Sequence, residues 1–285
     1  MSIVSSSPLP EGVRASMIDV PGGPLAILDA APLGTRRGTV LMVPGFTGSK
    51  EDFREVLVPL AQQGFRVVAL DQRGQHESLG PEQDEAYTTS ALGNDVLQVA
   101  AALGDGPVHL VGHSFGGLVS RAAVLKDPRA FLSLVLMDSG PSALTGPRAD
   151  VLPFMKSILL EGGLPAVWAA MEALGPVNPD KPTADDGAKE FLKARMLGNS
   201  PAGLLAMADS ITTEPDRVAE LAELDLPLLV MYGEKDDAWS PAQQDEMAAR
   251  LGAPVVVVPD AYHSPAAENP ELTAQVLRDF LLSVQ

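Results

Sequence analysis

Six short apolar runs, rich in β-branched residues, recur along the chain at 39–43, 66–71, 108–111, 132–137, 228–232 and 255–258. Their near-continuous apolar character, without polar alternation, predicts strands covered on both faces. Helical patterns intervene between most of them. Strands that alternate with helices fold as a mostly parallel sheet with helices on both faces, so the fold class read here is α/β. Ahead of these runs, residues 13–20 and 25–29 flank Gly22-Gly23-Pro24 and read as a hairpin, adding antiparallel edge strands.

The helices carry their own start and stop signals. Ser49 with Asp52 three residues later resembles a capping box, opening a helix to about Gln63 that Gly64 stops. Residues 89–103 place Leu92, Val96, Val99 and Leu103 on one face. Ser240-Pro241 and Asn269-Pro270 each supply an N-cap followed by proline at the first helical position. One region breaks the rhythm. Residues 142–223 contain no convincing strand, only amphipathic patterns at 151–160, 165–174, 188–197 and 201–210, with a loop expected at 178–186. This predicts a helical cap inserted between two core strands, dividing the core into 1–141 and 224–285, and a lid is the expected role.

Composition removes several classes of function. The 285 residues carry a formal net charge of −17, which repels phosphate backbones and anionic lipid, so neither nucleic acid nor a membrane surface is an expected partner. No cysteine is present, so disulfides, thiol catalysis and thiolate metal sites are excluded. No histidine pair at helical spacing and no Walker lysine motif appear, and no metal or cofactor is expected. The apolar stretches, such as 227–232 and 254–259, read as far too short to span a bilayer. The opening residues lack a basic segment followed by an apolar one, so a soluble cytoplasmic protein without a secretory signal is expected.

The strongest chemical signal is Gly112-His113-Ser114-Phe115-Gly116, followed by Gly117. It stands directly after the run 108–111 and before a helical pattern at 118–126. That context turns a short string into a mechanism, a sharp strand-to-helix turn that exposes a serine oxygen above the sheet. Glycine on either side relieves the crowding such a turn creates, and the helix N-terminus favours developing negative charge. On these residues the chain resembles the α/β-hydrolase superfamily, and more narrowly its bacterial esterase-like members with a helical cap. The resemblance covers nearly all of the chain outside 142–223, with motifs in the order serine, acid, histidine.

A serine hydroxyl needs a base to become a nucleophile, and the chain offers His76, His109, His113 and His263. His113 adjoins Ser114 and reads as structural, His109 lies within a strand far from the turn, and His76 sits in a loop where it could line a pocket. The resemblance places the base on the loop after the last strand, which is Asp260-Ala261-Tyr262-His263. The third member orients that imidazole. In the family it follows three residues after the glycine of Gly233-Glu234-Lys235-Asp236-Asp237, implying Asp236, with Asp237 and Asp138 as rivals. The resemblance further implies an oxyanion hole from the backbone N–H groups of Phe115 and Phe46. Phe46 lies in Val43-Pro44-Gly45-Phe46, where Pro44 replaces the family's usual histidine and removes a brace from the loop. Asp71-Gln72-Arg73-Gly74 resembles the family's Asp-x-Arg-Gly turn and is read as structural. Trp239, Trp168, Met155 and Met171 are candidates to line a substrate pocket, along with Met196, Met207 and the side chains of Phe46 and Phe115.

Together these readings imply a serine hydrolase of small or medium acyl esters, with Ser114, His263 and Asp236 as its triad and a small-molecule ester as its partner. Lactone hydrolysis, carbon–carbon bond hydrolysis and cofactor-free perhydrolysis are alternatives on the same triad. A ligand-binding receptor that keeps a slow triad is the alternative of another class. Haloalkane dehalogenation and epoxide hydrolysis are disfavoured, because those members carry aspartate where this chain has Ser114.

Overall fold

The structure, a computed structural model, describes residues 9–175 and 186–284. Its centre is an eight-stranded sheet in the order β1-β2-β4-β3-β5-β6-β7-β8. The hairpin is present as β1 (Val13–Ile18) and β2 (Leu25–Ala30), paired antiparallel, and β2 also runs antiparallel to β4 (Phe65–Leu70). The remaining neighbours are parallel: β3 (Gly38–Val43), β5 (Val108–His113), β6 (Phe131–Met137), β7 (Leu228–Gly233) and β8 (Val255–Val258).

Alternate residues of each strand feed two cores, as the two-residue period of a strand demands. Leu41, Val43, Val68 and Leu70 pack with Val96 and Val99 of α2 (Thr89–Ala102) and Leu118 of α3 (Phe115–Lys126). Val40, Met42, Val67 and Ala69 pack on the other face with Val56, Leu57 and Leu60 of α1 (Arg54–Ala61) and, at the chain's end, Leu277 and Leu281. Burial on both faces fails at β8, where Val255 and Val257 are exposed. An edge strand here has helix cover on one side alone.

The first expected helix opens as a tight 3-10 turn, Lys50–Phe53, before α1, a common device at helix starts. Ser49 and Asp52 do form its capping box, with the Ser49 N–H donating to Asp52 Oδ2. Between β6 and β7 the described residues form α4 (Pro147–Asp150), α5 (Leu152–Leu174), α6 (Asp186–Leu197), α7 (Pro201–Thr213) and α8 (Val218–Ala222), and no strand. The expected helices 151–160 and 165–174 are both present within α5, as two helices that part at Gly163, whose φ of 68° no continuous helix adopts. The loop expected at 178–186 lies outside the described residues except Asp186, the first residue of α6. Leu159, Val167, Trp168, Leu192, Met196 and Leu204 form a third apolar cluster, and Phe46 of the core packs against it. The last of these helices, α8, packs instead on α3 and on α9 (Pro241–Leu251).

The run Pro147–Leu174 has the length and apolar composition of a membrane-crossing helix, but at Gly163 (φ 68°, ψ −170°) it divides into two helices and is no continuous span. The chain closes with α10 (Pro265–Glu268) and α11 (Pro270–Ser283).

Candidate active site

Ser114 stands between β5 and α3 with φ 55° and ψ −124°, a strained backbone for a residue with a side chain. Two glycines permit it. A methyl group on Gly112 would lie 2.5 Å from the Gly116 carbonyl oxygen, and one on Gly116 would lie 2.3 Å from that of Val43. The turn is pinned from below: Ser114 N–H donates to Met137 O (2.9 Å), and Ser139 Oγ–H donates to Ser114 O (2.9 Å). Phe115 is the first residue of α3, so its N–H has no acceptor within the helix, and the positive end of the helix dipole faces the serine.

His263 arrives from the loop between β8 and α10. Its Nε2 is 2.8 Å from Ser114 Oγ, and its Nδ1 is 2.7 Å from Asp236 Oδ1. With the proton on Nδ1, that nitrogen donates to Asp236 and Nε2 accepts from the serine hydroxyl. The backbone itself sets this approach. A Cβ on Gly233 would lie 1.9 Å from the Tyr262 carbonyl oxygen, so only glycine lets the β7 loop and the histidine loop touch. Asp236 is buried and fully engaged: Oδ1 also accepts from Ala238 N–H (2.9 Å), and Oδ2 accepts from Gln244 Nε2 (2.7 Å). Burial opposes its ionisation, but the His263 ring, its hydrogen bond and the Ala238 N–H outweigh it, and the pKa lies below the ordinary carboxylate value.

The two rival acids are placed elsewhere. Asp237 turns to the rim, where it pairs with Arg148 of α4. Asp138 is fully buried, its Oδ1 accepts from Gly233 N–H (2.9 Å), and its carboxyl lies against that of Asp236. Burial, then the neighbouring charge of Asp236, push its pKa well above the usual value. Two carboxylates this close cannot both ionise, and the one with fewer donors keeps the proton. Among the described residues, no other histidine is bonded to Ser114 Oγ. His113 Nε2–H donates to His263 O (2.6 Å), and burial, then the nearby His263, lower its pKa to about 4. His109 Nδ1 meets Ser133 Oγ (2.8 Å), and His76 stands edge-on to Phe191.

The loop after β3 runs past the nucleophile, so that a Cβ on Gly45 would lie 2.9 Å from Ser114 Cβ. Among the described residues, no backbone carbonyl accepts from the N–H of Phe46. The bracing that Pro44 cannot supply comes from two amides: Gln72 Nε2 donates to Pro44 O, and Gln75 Nε2 to Gly45 O, both at 2.8 Å. The turn carrying Gln72 is itself fixed by ion pairs, Lys50 to Asp71 (2.9 Å) and Arg73 to Asp95.

Ser114 and His263 open into a cavity of about 180 Å³, walled by Phe46, Leu144, Val151, Leu152 and Ile211, with Arg148 and Arg195 among them. That is smaller than the ~300–1,000 Å³ usual for drug-sized ligands. Of the side chains expected from sequence to line a pocket, Phe46 borders this cavity, and Phe115, the tryptophans and the methionines are not among its walls. Trp239 packs under the histidine, its ring 6.5 Å from that of His263, with Nε1 donating to Ser142 O (3.2 Å). Trp168, Met155, Met171 and Met196 belong to the third cluster, and Met207 is wholly buried. Residues of this type at helical spacing pack as core unless a tertiary contact turns them, which spacing alone does not reveal. Sequence reading missed Gln72, Gln75, Gln244, Arg148 and Arg195, for which no local motif exists.

Among the described residues, two groups have the donor atoms for a metal ion, Glu51-His76-Glu77 and Asp138-Asp236-His263. The Lys50 ammonium already lies 2.9 Å from Glu51 and 2.7 Å from Glu77. The second group is the site just described, whose histidine has both nitrogens engaged.

A family model described as "Alpha/beta hydrolase family" matches residues 40–276. The chain belongs to the alpha/beta hydrolase family. Among curated members, the 2-(acetamidomethylene)succinate hydrolase of Mesorhizobium japonicum is 25% identical over 255 residues, covering 85% of this chain and 87% of that one. The 3-oxoadipate enol-lactonase 1 of Acinetobacter baylyi is 23% identical over 256 residues, covering 88% and 92%. Among solved alpha/beta hydrolase structures, a thermophilic esterase from Thermogutta terrifontis, with malate bound, superposes with a TM-score of 0.75 at 25% identity, covering 95% of this chain and 99% of its own. As a member of this family the protein is a hydrolase.

Proposed function

We propose that this hydrolase cleaves carboxylic esters of small acids through an acyl-enzyme on Ser114. The observation that carries this reading is the continuous hydrogen-bonded line from Ser114 Oγ through both nitrogens of His263 to Asp236, opening on a cavity. Ser114 Oγ attacks the carbonyl carbon as its proton passes to His263 Nε2. The resulting oxyanion is held by the N–H groups of Phe46 and Phe115, each donor of this kind worth about 100- to 1,000-fold in rate. The tetrahedral adduct collapses, the C–O bond to the alcohol breaks, and His263 returns the proton to the leaving oxygen. Water then attacks the acyl-enzyme by the same route in reverse, releasing the acid and restoring the Ser114 hydroxyl. Asp236 stabilises the imidazolium in both halves. Helices α4 to α7 serve as a cap, contributing Arg148, Val151, Leu152, Arg195 and Ile211 to the cavity.

A lactone is the second reading, favoured by the likeness to an enol-lactonase across most of both chains. It is an ester closed on itself and uses the same steps. The test is turnover of p-nitrophenyl acetate together with fluorophosphonate labelling. Both are expected in the wild type and lost in Ser114→Ala. Tight ligand binding with negligible turnover would instead mark a receptor, and an unlabelled wild-type Ser114 would end the nucleophile assignment.

A further inference from the structure

The cavity beside Ser114 contains two guanidinium groups that ester cleavage does not use. Among the described residues, Arg148 and Arg195 are the only lysine or arginine side chains in its walls, in a chain of net charge −17. Arg195, from α6, is only 1% exposed. It commits Nη1 to Asp52 Oδ1 (2.7 Å) and Ser49 Oγ (3.4 Å), and its guanidinium carbon stands 5.7 Å from the centre of the Phe191 ring. Among the described residues, no acceptor is bonded to its Nε or Nη2. Arg148, at the rim, gives Nη2 to Asp237, while its buried Nε has no partner.

Burying a guanidinium is expensive even when it is paired, and an apolar wall would bind a neutral acyl group without that cost. The donors left over form a planar fork, the shape that pairs with a carboxylate through two parallel hydrogen bonds. The Arg195–Asp52 pair is buried and fixes the orientation of the deeper fork. The Arg148–Asp237 pair is partly solvated, with side chains 22% and 23% exposed. Such pairs are held weakly, so Arg148 is able to exchange Asp237 for an incoming anion.

We infer that the substrate bears a free carboxylate in addition to the bond that is cleaved, and that Arg195 and Arg148 hold it beside Ser114. This rests on Ser114 being the nucleophile and names the class of compound that site takes, a half-ester or lactone of a dicarboxylic acid. Asp52, Asp236 and Asp237 are the acidic groups around the proposed anion. Asp52 is matched by Arg195, Asp236 by its three hydrogen bonds, and Asp237, partly solvated, is released from Arg148 to water.

The test compares mono-p-nitrophenyl glutarate and adipate with their neutral methyl esters, correcting for spontaneous hydrolysis. The wild type is expected to show a higher kcat/KM for at least one acid ester, by about 10-fold or more, since hydrogen bonds to charged groups carry about 10- to 100-fold each. In Arg148→Gln and Arg195→Gln the ratio of acid to neutral ester is expected to fall towards one. Because Arg195→Gln strands Asp52, the double variant Arg195→Gln/Asp52→Asn gives the same ratio in a chain with no unpaired buried charge. Equal or better turnover of the neutral esters by the wild type would overturn the inference while leaving the ester hydrolase standing. No turnover of any ester, with no fluorophosphonate labelling, would remove the nucleophile assignment and the inference with it.

Discussion

Replacing Asp236 by asparagine isolates the charge from the geometry. Asp236 Oδ1 accepts from His263 Nδ1 (2.7 Å) and Ala238 N–H, and Oδ2 from Gln244 (2.7 Å). Asparagine can keep its carbonyl toward the two donors on the Oδ1 side. Its amide then faces Gln244, which can turn its Oε1 to accept at the loss of its Nε2 bond to Trp239 O (2.9 Å). The tautomer of His263 is thus preserved, and what disappears is the attraction between a carboxylate and the imidazolium of the transition state. At about 4 Å between charge centres and an effective dielectric of about 20, that is about 4 kcal/mol. At about 1.4 kcal/mol per factor of ten, kcat/KM should fall about 1,000-fold. Asp237→Asn removes only a partly solvated rim pair with Arg148, worth about 0–1 kcal/mol, so kcat/KM for a neutral ester should stay within about fivefold. The assay is kcat/KM for p-nitrophenyl acetate at pH 8, with circular dichroism to verify folding. An Asp236→Asn protein that keeps a tenth of its activity, or an Asp237→Asn protein that falls as far, refutes the assignment.

Asp138→Asn should preserve turnover within a few-fold, because a buried acid that already holds its proton is mimicked by a neutral amide that still accepts from Gly233 N–H; a hundredfold loss would make Asp138 the working acid. The double variant Gln72→Ala/Gln75→Ala frees the carbonyls of Pro44 and Gly45, and kcat should drop by about 10- to 100-fold with a smaller change in KM, since the oxyanion donor loses its position more than the ground state loses contacts; an unchanged kcat would show that the loop is held without them. His109 has its pKa lowered by burial to about 4 against an ordinary 6.5, so the unfolded chain takes up the proton first as pH falls. Its contribution to stability is therefore complete above pH 6.5 and lost on the way down to about 4, at up to about 1.4 kcal/mol per pH unit. Urea denaturation of the wild type and His109→Gln at pH 7.5 and pH 5 should show the gap between them shifting against the wild type at the lower pH, and a constant gap would mean that His109 is not the group responsible.

What could be read from sequence had local causes. The strands announced themselves as apolar runs, the nucleophile turn by glycines whose spacing the backbone requires, and the hairpin by Gly22-Gly23-Pro24. Choosing Asp236 over Asp237 needed the family's spacing, since adjacent side chains diverge in ways a linear string does not encode. Gln72, Gln75 and Gln244 were invisible because each acts on a carbonyl or carboxylate that only the fold brings near. Arg195 meets Asp52 across 143 positions, and no periodicity foretells such a pair. The two tryptophans and the methionines were misplaced for the opposite reason, since their chemistry suits a pocket wall and a core equally well.

The bond from His113 Nε2 to the carbonyl of His263 joins the neighbour of the nucleophile to the main chain of the base. The two halves of the catalytic pair are therefore tethered by a link that does not pass through the serine oxygen. Deleting that oxygen, as in Ser114→Ala, leaves the tether whole, so the imidazole should stay parked where it was and the vacated space should admit an intact ester. An inactivated form of this kind is the natural vehicle for trapping the true substrate, since it can hold the molecule without consuming it.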